Sequence, residues 1–253
     1  MSKYYTPRRA NRLYKPNDQA PFKLSRSKIE LFIQCPRCFY LDRRLGVGRP
    51  PGYPYTLNSA VDTLLKKEFD LLRKNAEAHL LMEAYGVDAV VAGHPMLNEW
   101  RNNFRGVRFF HKSTNLILYG AIDDLWKNSR GEYIIVDYKS TSKNEKIVSL
   151  DKDWQDAYKR QMEIYQWLAR RNELKVSNTG YFVYCNGRTD VDKFDGRLEF
   201  DITLISYEGD DGWVEPTVVE MHGCLNSDII PQAGEDCDFC AYRGAAREVQ
   251  DES

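Results

Sequence analysis

Asp123, Asp137 and Lys139 are the residues of this chain whose types and spacing are best suited to chemistry. Asp137 and Lys139 follow the apolar, β-branched run Tyr133 to Val136 in GEYIIVDYKST (131–141), the pattern of a strand buried on both faces. Alternate residues of a strand share a face, so the acid and the amine emerge together. Asp123, in GAIDDLW (120–126), lies near the end of the preceding strand, and the turn 128–131 is short enough to make the two strands antiparallel neighbours. Two carboxylates thus meet at one sheet edge. Converging anions repel unless a cation lies between them, and hard oxygen donors suit Mg²⁺ or Mn²⁺. The Lys139 ammonium would compensate the carboxylates, orient a metal-bound water or stabilise charge on a phosphate. Taken alone, Asp-Tyr-Lys reads more simply as a strand end with a surface ion pair; with Asp123 beside it, both readings stand.

Four of the six cysteines form two CxxC pairs, Cys35 with Cys38 and Cys237 with Cys240. This spacing points to a metal before a disulfide framework. Cys185, in GYFVYCNG, reads as a strand core residue; Cys224 reads as helix packing and is a spare ligand candidate. His79, His94, His111 and His222 lack motif partners and read as structural or exposed.

The elements that must position these groups are legible in the periodicity. Helices are predicted from Ser25, from Pro36, from Leu57 towards Gly86, over 153–172 and over 213–226. Strands are predicted at 107–111, 114–127 and 132–139 as a three-strand meander, then near 178–185 and 197–207. The whole is a mixed α/β core without an internal linker.

The chain has 253 residues, 42% hydrophobic and 29% charged, as expected of a soluble globular protein with one large domain, alone or with appendages. No apolar run is long enough to cross a bilayer. The opening MSKYYTPRRANRLYK has no apolar signal-like stretch, so a cytoplasmic chain is expected. Net charge is −1, which gives no sign of a polyanionic partner, although basic residues from Lys3 to Lys28 far outnumber the one acid of that segment that precedes Lys28, Asp18. That segment reads as a solvated arm or as a phosphate-contacting one.

GAIDDLW…IIVDYKS resembles motifs of the PD-(D/E)XK nuclease superfamily, in particular its RecB-like branch, which includes helicase-nuclease nuclease domains and CRISPR-associated exonucleases. The resemblance implies that Asp123, Asp137 and the main-chain carbonyl of Tyr138 bind Mg²⁺ or Mn²⁺ and that Lys139 assists the attacking water. RQMEIYQ supplies Gln161 and Tyr165 in the Q-x-x-x-Y arrangement of that branch, stacked on one helix face where they would contact DNA. SRSKIELFIQCPRCFYLDRR and EDCDFC resemble the cluster-binding ends of its iron-sulfur members.

Two departures accompany these matches. Where the branch carries a metal-binding His on the long helix, this chain offers Asp62, which reads equally as a ligand or as a polar residue at the edge of an apolar stripe. The cysteines fall two and two rather than one and three, so the resemblance favours [4Fe-4S] while the spacing favours Zn²⁺.

The expected fold is therefore α/β, a restriction-endonuclease-like core with a central mixed sheet flanked by helices and a cysteine metal site joining N- and C-terminal segments. The expected layout is a basic flexible arm (1–24), a nuclease domain (25–243) with cysteine segments at 25–45 and 224–243, and a flexible tail (244–253). The expected function is metal-dependent, exonuclease-like hydrolysis of DNA, single-stranded or at ends, in repair, recombination or CRISPR adaptation, with a helicase or CRISPR-adaptation partner and no membrane. The rival is a catalytically inactive nucleic-acid-binding or scaffolding module stapled by zinc or iron-sulfur.

Overall fold

The structure is a computed structural model that describes residues 5–252. Its elements, in chain order, are β1 (Phe22–Ser25), α1 (Arg26–Gln34), α2 (Pro36–Arg43), α3 (Thr56–Arg73), α4 (Leu80–Ala84), β2 (Val90–Val91), α5 (Leu97–Trp100), β3 (Val107–His111), β4 (Leu116–Gly120), β5 (Asp124–Lys127), β6 (Tyr133–Thr141), α6 (Asp156–Arg171), β7 (Thr179–Gly187), β8 (Phe200–Glu208), α7 (Val214–Asn226) and α8 (Asp238–Asp251). They fall into two compact units, one of Met1–Tyr53, Phe110–Leu118 and Gly212–Ser253, the other of Pro54–Phe109 and Tyr119–Asp211.

The apolar run of β6 is the centre of the second unit. A five-stranded sheet runs in the order β2-β5-β6-β7-β8, so β6 has a neighbour on each side. It pairs antiparallel with β5 and parallel with β7, and the parallel step is made by a crossover through α6. Ile134, Val136 and Tyr138 face a core that includes Leu65 and Phe69 of α3, with Trp126, Val183 and Leu204. Phe69 is fully buried and stacks on Trp126 at 5.6 Å. Asp137 and Lys139 alternate onto the opposite face, toward α6. The sheet is thus flanked by helices, as the fold class required.

Three local expectations are corrected. Residues 114–127 are not one strand: β4 ends at Gly120 and β5 begins at Asp124, and the two lie in different sheets, β4 in the order β1-β4-β3. No single three-strand meander forms. The break falls where the Gly120 carbonyl meets Gly106, whose φ of +61° and missing Cβ permit the approach. Helical character does not run unbroken to Gly86, because α3 stops at Arg73 and Ala76 takes a φ of 52° before α4. Asp137 is not the end of its strand: β6 continues to Thr141 because β7 still pairs beside it, Ser140 with Cys185 and Thr141 with Asn186.

In the first unit, α1 leads into α2 through Cys35, with Pro36 at the first helical position. Residues 5–21 contain no helix or strand, yet Tyr14 is buried and Arg9 donates to the Asp42 carbonyl oxygen at 2.9 Å. Residues 1–4 of the expected arm and Ser253 lie outside the described residues. The expected tail is helical through Asp251, in keeping with helix formers such as Ala245, Ala246, Arg247 and Glu248. No described helix is long and apolar enough to cross a membrane.

Candidate active site

β5 begins one residue after Asp123, so the backbone N–H of Tyr138 lies beyond the paired register Asp124–Val136 and has no strand partner on that side. The Asp123 carboxylate takes that place, accepting from Tyr138 N at 2.9 Å. A missing rung of the ladder thereby brings Asp123 level with Asp137 and Lys139. Asp137 is fully buried, and its Oδ1 accepts from Gln161 Nε2 on α6 at 2.7 Å. Gln161 Nε2 also lies 3.1 Å from the Tyr165 hydroxyl, one helical turn away. The Lys139 ammonium contacts Asp137 Oδ2, donates to Gln161 Oε1 at 3.3 Å and lies 4.5 Å from the Tyr158 ring centroid. Burial alone would lower the Lys139 pKa, but the Asp137 and Asp123 carboxylates outweigh it and hold the pKa above the ordinary value.

Asp62 lies on α3 and reaches this group through a residue the sequence reading missed. Lys66, one turn along the helix, sits 2.7 Å from Asp62 and 3.1 Å from Asp123, so an ammonium stands between the two carboxylates. Burial and the Asp123 charge raise the Asp62 pKa. The i,i+4 spacing of Asp62 and Lys66 was a signal available in the sequence; its link to Asp123 was not.

Behind the site lies a second unforeseen set. Asp124 is fully buried and accepts from Arg101 at 2.9 Å, from the Tyr138 hydroxyl at 2.7 Å, from Leu125 N at 2.7 Å and from Arg73. Arg101 also donates Nε to the Asp123 carbonyl at 2.8 Å, so the buried network fixes the backbone that carries Asp123.

The sequence-predicted residues Asp62, Asp123, Asp137, Tyr138, Lys139, Gln161 and Tyr165 therefore fall in one unit and are linked by contacts around β6. Their hard oxygen donors suit Mg²⁺ or Mn²⁺ in chemical type. The three carboxylates do not by themselves form a closed ligand set. Among the described residues, only the four cysteines bring three or more Cys, His, Asp or Glu donors together closely enough to hold one ion. Lys66 and Lys139 supply the compensating charge at the carboxylates.

The cysteines lie in the other unit, where the expected pairing of N- and C-terminal segments is found. Cys35, Cys38, Cys237 and Cys240 place their sulfurs within 4.8 Å of one another and could bind a metal. Burial opposes ionisation of Cys35, but N–H donors from Gly234 and Cys38 prevail and bring its pKa down to about 6. Cys185 is buried in β7, and burial pushes its thiol up to about 11. Cys224 is not one of the four. The histidines take structural contacts: His79 stacks on Phe69, His94 stacks on Trp100, His111 bonds Thr114 and Glu215, and His222 lies 3.0 Å from Asn226.

Comparison with known proteins bears on this arrangement. The model of the PD-(D/E)XK nuclease superfamily matches residues 23–245. No curated protein matches. Among solved structures, the crystal structure of SSO0001 is similar at 14% identity over 85% of this chain and 80% of that one, with a TM-score of 0.33.

Proposed function

From the premise that the chain belongs to the PD-(D/E)XK nuclease superfamily, we propose that it is a metal-dependent deoxyribonuclease of the RecB-like branch, with Asp123, Asp137 and Lys139 at its active centre. The observation that carries this reading is the contact set around β6: Asp123 against Tyr138 N, and Asp137 gripped by Gln161 and Lys139.

Asp123, Asp137, the Tyr138 carbonyl and Asp62 would hold Mg²⁺ or Mn²⁺, which when bound neutralises phosphate charge and acidifies the attacking water. Gln161 fixes the Asp137 carboxylate on the α6 face and shares Lys139 with it, so acid, amide and ammonium form one positioned group. Lys139 offers its charge where a phosphate oxygen would lie. Tyr165, buried and in contact with Gln161, limits how that amide can turn.

A cleft of about 450 Å³ supports a polynucleotide substrate. Tyr55, Leu57, Asn58, Tyr158 and Phe200 line it, with Asn58 bonded to the Ser140 carbonyl at 2.7 Å. Tyr158 belongs both to this cleft and to the Lys139 contact. An exposed Tyr55 ring and the Tyr158 ring offer stacking surfaces to unpaired bases, which favours single strands or DNA ends. Repair, recombination and CRISPR adaptation are processes that use such an exonuclease-like activity, with a helicase or another adaptation protein delivering the strand.

A second reading is favoured by Lys66. Its ammonium stands between Asp62 and Asp123, where a cation would otherwise be needed, and a chain that keeps it there permanently would bind nucleic acid without cutting it. End-labelled single- and double-stranded DNA incubated with the full chain and Mn²⁺ separates the two. Cleavage that is abolished in Asp137→Asn and Lys139→Ala proteins of wild-type circular dichroism supports hydrolysis; wild-type protein that cuts no better than Lys139→Ala rejects it.

A further inference from the structure

We infer that the four-cysteine site holds a single zinc ion in tetrahedral coordination. The sulfur separations carry the inference: Cys35 to Cys240 is 3.8 Å, Cys38 to Cys237 is 3.6 Å and Cys38 to Cys240 is 3.7 Å. A zinc–thiolate bond of about 2.3 Å gives a regular tetrahedron with edges of about 3.8 Å. Three of the six edges therefore stand at the spacing that one central ion requires, and all four sulfurs lie within 4.8 Å of one another. A [4Fe-4S] cluster assigns each thiolate to a different iron, which must spread the sulfurs well beyond the edge of one coordination tetrahedron. The four would have to move apart, yet Cys35, Cys38 and Cys237 are buried where they are.

The surroundings fit four thiolates on one divalent ion. Cys35 precedes α2 and Cys237 precedes α8, with Cys38 and Cys240 in the first turns, so two helix N-termini face the sulfurs with their positive ends. One zinc and four thiolates carry a net charge of −2, and N–H donors offset it. Cys38 N lies 3.4 Å from Cys35 Sγ, Gly234 N lies 3.3 Å from the same sulfur, and Arg49 Nη2 lies 3.3 Å from Cys237 Sγ. Gly234 can come so near only because it lacks a Cβ, which would overlap the Gln34 carbonyl oxygen. Arg49 is held over the Phe239 ring at 4.7 Å, which fixes the guanidinium beside the sulfurs. Four protein ligands, three of them buried, leave no open position, which makes the ion structural rather than catalytic. The assignment concerns ligation alone and stands whether or not the Asp137 site cleaves DNA.

The test is the metal content of the full chain, purified under anaerobic conditions from cells supplied with both iron and zinc. The expected result is about one zinc per chain, negligible iron and acid-labile sulfide, and no visible colour. Iron and sulfide near four each with a broad brown absorption would overturn it. So would a chain that retains neither metal, or zinc that survives the Cys38→Ala/Cys240→Ala change. Because that variant can fail to fold, wild-type protein exchanged with Co²⁺ gives an independent readout. Strong thiolate-to-cobalt charge transfer with tetrahedral ligand-field bands supports the site; a weak octahedral spectrum rejects it.

Discussion

Replacing Arg101 by Met removes the central cation behind Asp123, and the loss can be worked from the contacts. Arg101 donates to both oxygens of Asp70 at 2.8 and 2.9 Å, to Asp124 at 2.9 Å and to the Asp123 carbonyl at 2.8 Å. Asp70 is half exposed, so water screens its pairs and they contribute little. Asp124 is fully buried, and losing one partner of a buried ion pair costs about 3–5 kcal/mol. Arg73, the Tyr138 hydroxyl and Leu125 N stay on Asp124, which places the cost at the low end, about 3 kcal/mol. For a chain of this size that corresponds to a fall in Tm of roughly 6–12 °C. Thermal unfolding of wild type, Arg101→Met, Asp124→Asn and the double variant at pH 7, followed by circular dichroism, measures both the loss and the coupling. A Tm within about 2 °C of wild type for Arg101→Met, or a double variant whose losses simply add, would refute the claim that this network holds the Asp123 backbone in place.

Three further outcomes are expected. Lys66→Met should tighten Mn²⁺ binding about thirtyfold by calorimetry, the roughly 2 kcal/mol that a unit charge exerts on a divalent ion at about 4 Å in water, because it removes the ammonium between Asp62 and Asp123; unchanged or weaker binding counts against those carboxylates as ligands. Arg49→Ala should speed loss of zinc to a chelator about tenfold, with Arg49→Lys in between, since outer partners of a metal site tune affinity on that scale; equal rates would deny Arg49 that role. Burial would raise the Asp42 pKa, but Lys28 at 2.8 Å, Arg43 and Arg9 hold it below the ordinary value. A native pKa below the unfolded one gives stability that is complete above about pH 4 and is lost as pH falls through the native pKa. Acid unfolding should therefore shift to lower pH in wild type than in Asp42→Asn, and identical acid midpoints would contradict the linkage.

The part of the site legible in the sequence is the part written in short periods. Period two put Asp137 and Lys139 on one face of β6, and a four-residue step put Gln161 and Tyr165 together on α6. The paired CxxC spacings marked the cysteine site for the same reason. What escaped were the contacts made by long side chains across elements. Lys66 and Arg101 carry no spacing signature toward Asp123, since both reach it from distant helical segments through flexible stems. Asp124 drew no reading beside Asp123, yet alternation along the strand turns it into a buried core. The break between β4 and β5 was hidden because apolar alternation continues through Leu116–Trp126 while the hydrogen bonds change sheets. The division into two units was not legible because the chain passes between them more than once; the Gly- and Pro-rich stretch 46–54 ends at the first crossing, but the later ones carry no such stretch of comparable length.

The cysteine site also orders events during synthesis. Cys38 and Cys237 are 199 positions apart, which at about 5–20 residues per second means roughly 10–40 s between the emergence of the two. The unit that carries Asp123, Asp137 and Gln161 is fully translated at Asp211, before Cys237 exists. The N-terminal helices must wait with two unmatched thiols through that interval, and a chain stopped anywhere before Cys237 can never close them around a metal.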